Sequence, residues 1–181
     1  MGDHSSRQVV LTGAPGAGKT TLLIAAAAAG FSTSPEVART LLQQPGGMAQ
    51  RTADPLGFAE AMLEAHIREF AAATIKPGPV LFDRGFPDVV GFLDVSGLPV
   101  SKSVDAACRQ IRYTGPILRA PAWAAIYQQD AERIQDWEQA VASDEAVTAA
   151  WRRYGYTVGD LPLIGVEERL AWLVGQLHPA D

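Results

Sequence analysis

Residues 8–20 read QVVLTGAPGAGKT, and the reading of this stretch decides the fold. Gln8 to Thr12 form a short β-branched run that ends at a glycine, and Lys19 to Ala29 form an alanine- and leucine-rich run that stops at Gly30. The order is therefore strand, loop, helix. Within the loop, Gly13 is followed by four residues and then by Gly18, Lys19 and Thr20, which is the spacing of a Walker A motif. Gly13, Gly16 and Gly18 let the backbone curl so that successive N–H groups face inward, and the start of the helix adds its partial positive charge. Gly13, Ala14, Pro15, Gly16, Ala17, Gly18, Lys19, Thr20 and Thr21 are thus expected to wrap the polyphosphate of a nucleoside triphosphate. Lys19 would reach the terminal phosphates as a point charge, the Thr20 hydroxyl would ligate magnesium, and Thr21 would lie near an inner phosphate.

Outward from this loop, short apolar runs alternate with helical patterns. Ser34 and Pro35 are expected to open a helix with Val37, Leu41 and Leu42 on one face, ending before Pro45. The segment from Pro45 to Thr52 carries two glycines and no apolar period, so it reads as a loop. A long helix follows from about Pro55 to Thr74, with Phe58, Met62, Leu63, Ile67 and Phe70 on its buried stripe and Glu60, Glu64 and Arg68 opposite. Val80 to Phe82 form a fully apolar strand ending at Asp83, Ile117 and Leu118 another, and Tyr156 to Leu161 a last one before a closing helix from Val166 to Leu177. Such alternation predicts a parallel sheet covered on both faces, with ligands beyond the carboxyl ends of its strands. Charge density rises between about Asp130 and Tyr154, which reads as a solvated helical face and a candidate lid.

Bulk properties set bounds on function. A chain of 181 residues, 48% hydrophobic and 19% charged, fits one domain spanning 1–181. The net charge of −5, with no cluster of lysine and arginine, argues against a nucleic acid polymer as partner. No apolar stretch is long enough to cross a bilayer and the first eight residues are polar, so neither membrane insertion nor secretion is expected and a cytoplasmic location is. Cys108 is the one cysteine, read as a small buried apolar group. His4, His66 and His178 lie far apart in sequence and read as surface or helix positions rather than a metal site.

Asp83 emerges where a Walker B carboxylate holds magnesium, with a helix cap or turn as its structural alternative. The residues after it, Arg84 and Gly85, include no neighbouring glutamate to polarise water, which disfavours a mechanical ATPase. Lys102 and Asp105 miss the spacing of a guanine-reading motif, which disfavours a signalling GTPase.

The loop GAPGAGKTTL, PEVAR at 35–39, FDRG at 82–85 with Asp88 close behind, APAWAAIYQQDAER, and GY followed by LP at 155–162 together resemble P-loop nucleoside and nucleotide kinases. The resemblance is closest to the AAA-annotated predicted ATPase and kinase family that includes the ribosylnicotinamide kinase domain of the bacterial NAD-biosynthesis regulator. It implies an α/β, three-layer fold whose five-stranded parallel sheet has the order 2-3-1-4-5, with a lid-like helical segment at about 124–154. It implies ATP and Mg2+ as cofactors and phosphoryl transfer to a small metabolite, a nucleoside, nucleotide or ribosyl compound. A nucleotide-hydrolysing regulator without such an acceptor is the alternative. Lys19, Asp83, Arg84 and Arg133 would be catalytic, with Thr20 and Asp83 on the metal. Arg84 would also meet the acceptor together with Glu36 and Arg39, unless those two pair with each other across a helical turn. Arg133 would be the lid arginine, unless it pairs with Asp130. The acceptor's identity, the choice between ATP and GTP, and pairing into a homodimer stay open at this stage.

Overall fold

The computed structural model describes residues 7–127 and 136–177. In chain order the elements are β1 (Gln8–Gly13), α1 (Lys19–Ala28), β2 (Ser32–Ser34), α2 (Val37–Leu42), α3 (Gly47–Ala53), α4 (Pro55–Ala73) and β3 (Val80–Asp83). They continue with α5 (Phe86–Val95), α6 (Lys102–Gln110), β4 (Ile117–Ala120), α7 (Trp137–Arg153), β5 (Val158–Asp160) and α8 (Val166–Leu177). The five strands are all parallel in the order β2-β3-β1-β4-β5. The sheet order is the expected one.

The central strand shows why the sequence folds this way. β1 is buried along its whole length, since it pairs with β3 on one side and β4 on the other. Its side chains alternate between two cores. Val10, with Val80, Phe82 and Ile117, packs against α4, α5, α6 and α7. Val9 and Leu11, with Leu81 and Leu118, pack against α1 and α8. A strand apolar at successive positions is the signature of a sheet covered on both faces.

The segment from Ser32 to Ala53 departs in part from expectation. Ser32 to Ser34 are a strand, paired Ser32↔Val80 to Ser34↔Phe82, although they lack an apolar run. The expected helix start at Ser34 fails because a residue before proline is pushed towards extended backbone, and the helix begins at Val37 instead. The expected loop from Pro45 contains the helix α3, entered through Gly46 in the left-handed region at φ 82°. Its neighbour Gly47 is required by space, since a Cβ there would lie 2.0 Å from the Leu41 carbonyl oxygen.

The long helix comes close to expectation, capped by Asp54, which accepts from Gly57 N at 2.9 Å, with Pro55 in its first turn. Its buried stripe differs at one step: Ile67 is 40% exposed, whereas His66, read from sequence as a surface or helix position, is buried.

A further correction concerns α7, read from sequence as a solvated face. Ala140, Val147, Ala150 and Trp151 are buried, and the helix packs on α5, so this part of the 124–154 segment is core. Its inward carboxylate, Asp144, is compensated by Arg119, whose Nε and Nη2 each donate at 2.8 Å. Asp130, Glu132 and Arg133 lie outside the described residues, as do His4 and His178. Among the described residues, no helix is long and apolar enough to cross a membrane.

The α5 and α7 backbones approach each other at Gly91, where a Cβ would sit 2.6 Å from Val147 Cγ1 and 2.7 Å from Val147 Cα. Gly91→Ala is therefore expected to destabilise the chain by about 2 kcal/mol in urea denaturation, through overpacking. An unchanged midpoint would mean that α7 is loosely held.

Candidate functional site

The loop between β1 and α1 takes its shape from its glycines. Gly13 sits at φ 106°, and a Cβ there would lie 2.4 Å from the Ala120 carbonyl oxygen of the neighbouring strand. Gly16 and Gly18 adopt φ 75° and 83°, a region costly for residues with a Cβ. Gly18 caps α1 without a side chain, so the first amides of that helix have no intrahelical partner and are free to bind an anion. Ala14 and Ala17 turn into the core, while Pro15, Gly16, Thr20 and Thr21 line the cavity.

Lys19 is only 5% exposed and folds back over the loop, its Nζ donating to the Ala14 carbonyl at 2.6 Å. Burial, with the nearby charge of Arg84, lowers its pKa to about 8 against the opposing pull of Asp83, Glu36 and Asp88. Thr20 Oγ1 donates to Asp83 Oδ2 at 3.3 Å, which brings the two expected metal-binding residues together across the β1–β3 edge. Burial, aided by the negative charge of Glu36, raises the Asp83 pKa to about 6 despite Lys19 and Arg84. Among the described residues, Asp83 Oδ1 is buried without a hydrogen-bond donor. An orphaned carboxylate oxygen beside a hydroxyl fits a hard divalent cation that takes its remaining ligands from phosphate and water. Among the described residues there is no all-protein metal cluster of histidine, cysteine, aspartate and glutamate.

Arg84 is the one non-glycine residue at positive φ among those described, at 70°. Such strain persists only where surrounding contacts hold it. Here Nε donates to Glu36 Oε1 at 3.3 Å, and Nη1 donates to Asp88 Oδ1 at 3.0 Å and to the Gly13 carbonyl at 3.2 Å. Burial opposes its charge, but Glu36, Asp88 and Asp83 outweigh burial and raise its pKa. Glu36 shows the mirror effect: burial works to raise its pKa, and the charges of Arg84 and Lys19 bring it below the ordinary value. Glu36 pairs with Arg84, and Glu36 and Arg39 both line the cavity.

Three residues here carry more than sequence reasoning assigned them. Asp88 accepts from Thr12 Oγ1 at 2.6 Å, from Gly85 N at 3.0 Å and from Trp151 Nε1 at 2.9 Å, besides Arg84. Arg169, 2% exposed, donates to the Ala17 carbonyl at 2.8 Å and the Pro162 carbonyl at 2.7 Å, and its guanidinium lies 4.9 Å from the Trp123 ring centroid. It ties α8 to the loop between β1 and α1. His66 lines the same cavity, which has a volume of about 650 Å³. Gly159 and Asp160 are exposed, and Ile164 to Val166 form part of the cavity wall. Arg133 lies outside the described residues.

A parallel sheet in this order, with a glycine loop between β1 and α1 and a carboxylate at the end of β3, defines the P-loop kinase fold. The chain belongs to an AAA domain family, whose sequence profile matches residues 8–169. Deoxyadenosine kinase from M. mycoides with bound dATP superposes with a TM-score of 0.71 at 13% identity, over 94% of this chain and 98% of that one. NadR protein in complex with NR gives 0.70 at 18% identity, over 98% of this chain but 53% of that one. Thymidylate kinase from Candida albicans gives 0.64 at 7% identity, over 94% and 90%. No curated protein matches at the level of sequence.

Asp83 holds its proton more tightly in the folded chain, at about 6, than in the unfolded one, near ~3.9. Its contribution to stability is therefore fully present below the unfolded value and lost as pH rises through about 6. Without nucleotide or metal, Asp83→Asn is expected to raise stability at about pH 8, with the gain shrinking towards pH ~4. Urea denaturation at both pH values measures this, and a loss at the higher pH would contradict the electrostatics described.

Proposed function

We propose that this chain is an ATP- and Mg2+-dependent phosphotransferase acting on a small metabolite, a nucleoside, nucleotide or ribosyl compound. One observation carries the reading. One cavity of about 650 Å³ is lined both by Gly16, Lys19 and Thr20 of the loop and by Phe58, Met62 and Phe92, with Arg84 and Glu36 also in its wall. Hydrolysis alone needs no enclosed space for a second molecule. The bound nucleotides of the similar structures, dATP in deoxyadenosine kinase and AMP-PNP in NadR, support a nucleotide in the cradle.

Phosphoryl transfer asks mainly for positioning and charge stabilisation. In this reading Gly13 to Thr21 hold the triphosphate through backbone amides, and Lys19 leaves the Ala14 carbonyl to meet the terminal phosphates. Thr20 and Asp83 would hold Mg2+, which when bound neutralises phosphate charge. Arg84, positioned by Glu36, Asp88 and the Gly13 carbonyl, would meet the acceptor or the transferring phosphoryl group. Glu36 is kept ionised by that pairing and accepts a hydrogen bond from an acceptor hydroxyl, orienting it towards the transferring group. Arg39 lines the acceptor side, and Arg133 supplies further positive charge from the segment after Trp123.

Incubation with ATP, Mg2+ and a panel of nucleosides, nucleotides and ribosyl metabolites is expected to yield acceptor-dependent ADP release and a product heavier by one phosphoryl group in mass spectrometry. Slow hydrolysis indifferent to every metabolite would favour a nucleotide-hydrolysing regulator instead. Lys19→Ala is expected to lower kcat/KM by about 100-fold or more while leaving the urea midpoint no lower, because the ammonium binds ligand charge rather than packing the core.

A further inference from the structure

Three cations each bond a carbonyl of the loop between β1 and α1: Arg84 that of Gly13, Lys19 that of Ala14 and Arg169 that of Ala17. Arg84 and Lys19 both have Asp83, Glu36 and Asp88 as counter-charges. Arg169, near the start of α8, is 2% exposed and meets only neutral groups among the described residues. Its Nε donates to the Pro162 carbonyl at 2.7 Å, its Nη1 to the Ala17 carbonyl at 2.8 Å, and the Trp123 ring covers it at 4.9 Å. Nη2 is buried without an acceptor among the described residues. The neighbouring Glu167 and Glu168 are exposed, and Glu168 is turned to the Gly165 amide, from which it accepts at 3.2 Å. Burial lowers the Arg169 pKa, in contrast to Arg84, where burial is outweighed by Glu36, Asp88 and Asp83.

A buried cation with neutral partners alone is far costlier than a paired one. A negative charge brought close to it offsets that cost, most strongly where protein excludes water. Arg169 stands where such a charge would arrive. A Cβ built on Gly18 would lie 3.2 Å from its Nη1, so the guanidinium backs directly onto the loop. Gly18, at φ 83°, also opens α1, whose first amides lack an intrahelical partner. Arg169 lines the cavity together with Gly16, Gly18, Lys19 and Thr20. A polyphosphate held by those amides is the kind of anion that suits this position.

We propose that Arg169 is a positioning residue for the phosphates of the nucleotide: it fixes the Ala17 carbonyl and holds behind the loop a positive charge that the incoming polyphosphate neutralises. The inference rests on the reading of Gly13 to Thr21 as a polyphosphate cradle and adds to it a residue from the far end of the chain.

The test compares Arg169→Lys, which keeps the charge but loses the fork, with Arg169→Gln, which keeps a donor but loses the charge. Titration calorimetry with inorganic tripolyphosphate and with ATP, each with Mg2+, reads the phosphate part of the affinity with and without base and sugar. Arg169→Gln is expected to weaken both ligands about 10-fold or more, and Arg169→Lys to stay within about threefold of the unsubstituted protein. Equal weakening by the two substitutions in folded proteins means that the guanidinium only shapes the loop, and overturns the proposal. An unchanged affinity in Arg169→Gln overturns it too, as does a loss confined to ATP, which would assign Arg169 to the base or sugar. Should Arg169→Gln fail to fold, Arg169→Lys decides: affinity within about threefold supports the proposal and a loss of about 10-fold overturns it. If the unsubstituted protein binds neither ligand, the cradle reading falls and this inference with it.

Discussion

The guanidinium of Arg84 is the point at which the working edge of the sheet is held together. It leaves β3 in a left-handed backbone conformation and reaches three separate elements: the Gly13 carbonyl at the mouth of the phosphate loop, Glu36 at the entry to α2, and Asp88 in the first turn of α5. None of these ionic groups is cheap to bury alone, and each is tolerable because the others are there. Strained backbone and a shared counter-charge at the carboxyl ends of β1 and β3 keep Glu36, Asp83, Asp88, Lys19 and Arg84 within one small volume. That volume opens directly into the cleft.

Packing behind the site explains why the charges stay fixed. Asp88 does not end at Arg84, since its second oxygen takes the indole N–H of Trp151 and the amide of Gly85. Trp151 is a fully buried side chain of α7, so the ionic network is anchored in the core that α5 and α7 build over β1 and β3. On the opposite face Arg169 performs a similar task for the loop itself, bonding the Ala17 carbonyl while covered by Trp123. Both faces of the sheet therefore feed one residue each into the geometry of the cradle.

Much of this was legible from residue type and spacing. The glycines at 13, 16 and 18 with Lys19 and Thr20 at fixed offsets admit few structural purposes other than an anion cradle, and apolar runs at Val9 to Leu11 and Val80 to Phe82 mark strands buried on both sides. The misses have physical reasons. Ser32 to Ser34 carry no hydrophobic signal because an edge strand needs little. Gly46 and Gly47 look like loop punctuation yet serve a tight turn between two short helices. Arg169, next to Glu167 and Glu168 on an amphipathic helix, is indistinguishable in sequence from a surface arginine. His66 was in principle detectable, four residues from both Met62 and Phe70 on the apolar stripe, but histidine is common on either face of a helix.

A cradle of amides, one buried ammonium and a carboxylate with a spare oxygen has a direct thermodynamic signature. Titration calorimetry of the purified chain with ATP, in the presence and absence of Mg2+, reads it. Binding with a dissociation constant at or below about 1 mM, strengthened by Mg2+, is the predicted result. A folded protein that binds neither ATP nor GTP in the millimolar range, with or without the cation, would contradict the reading of the loop on which every functional statement depends.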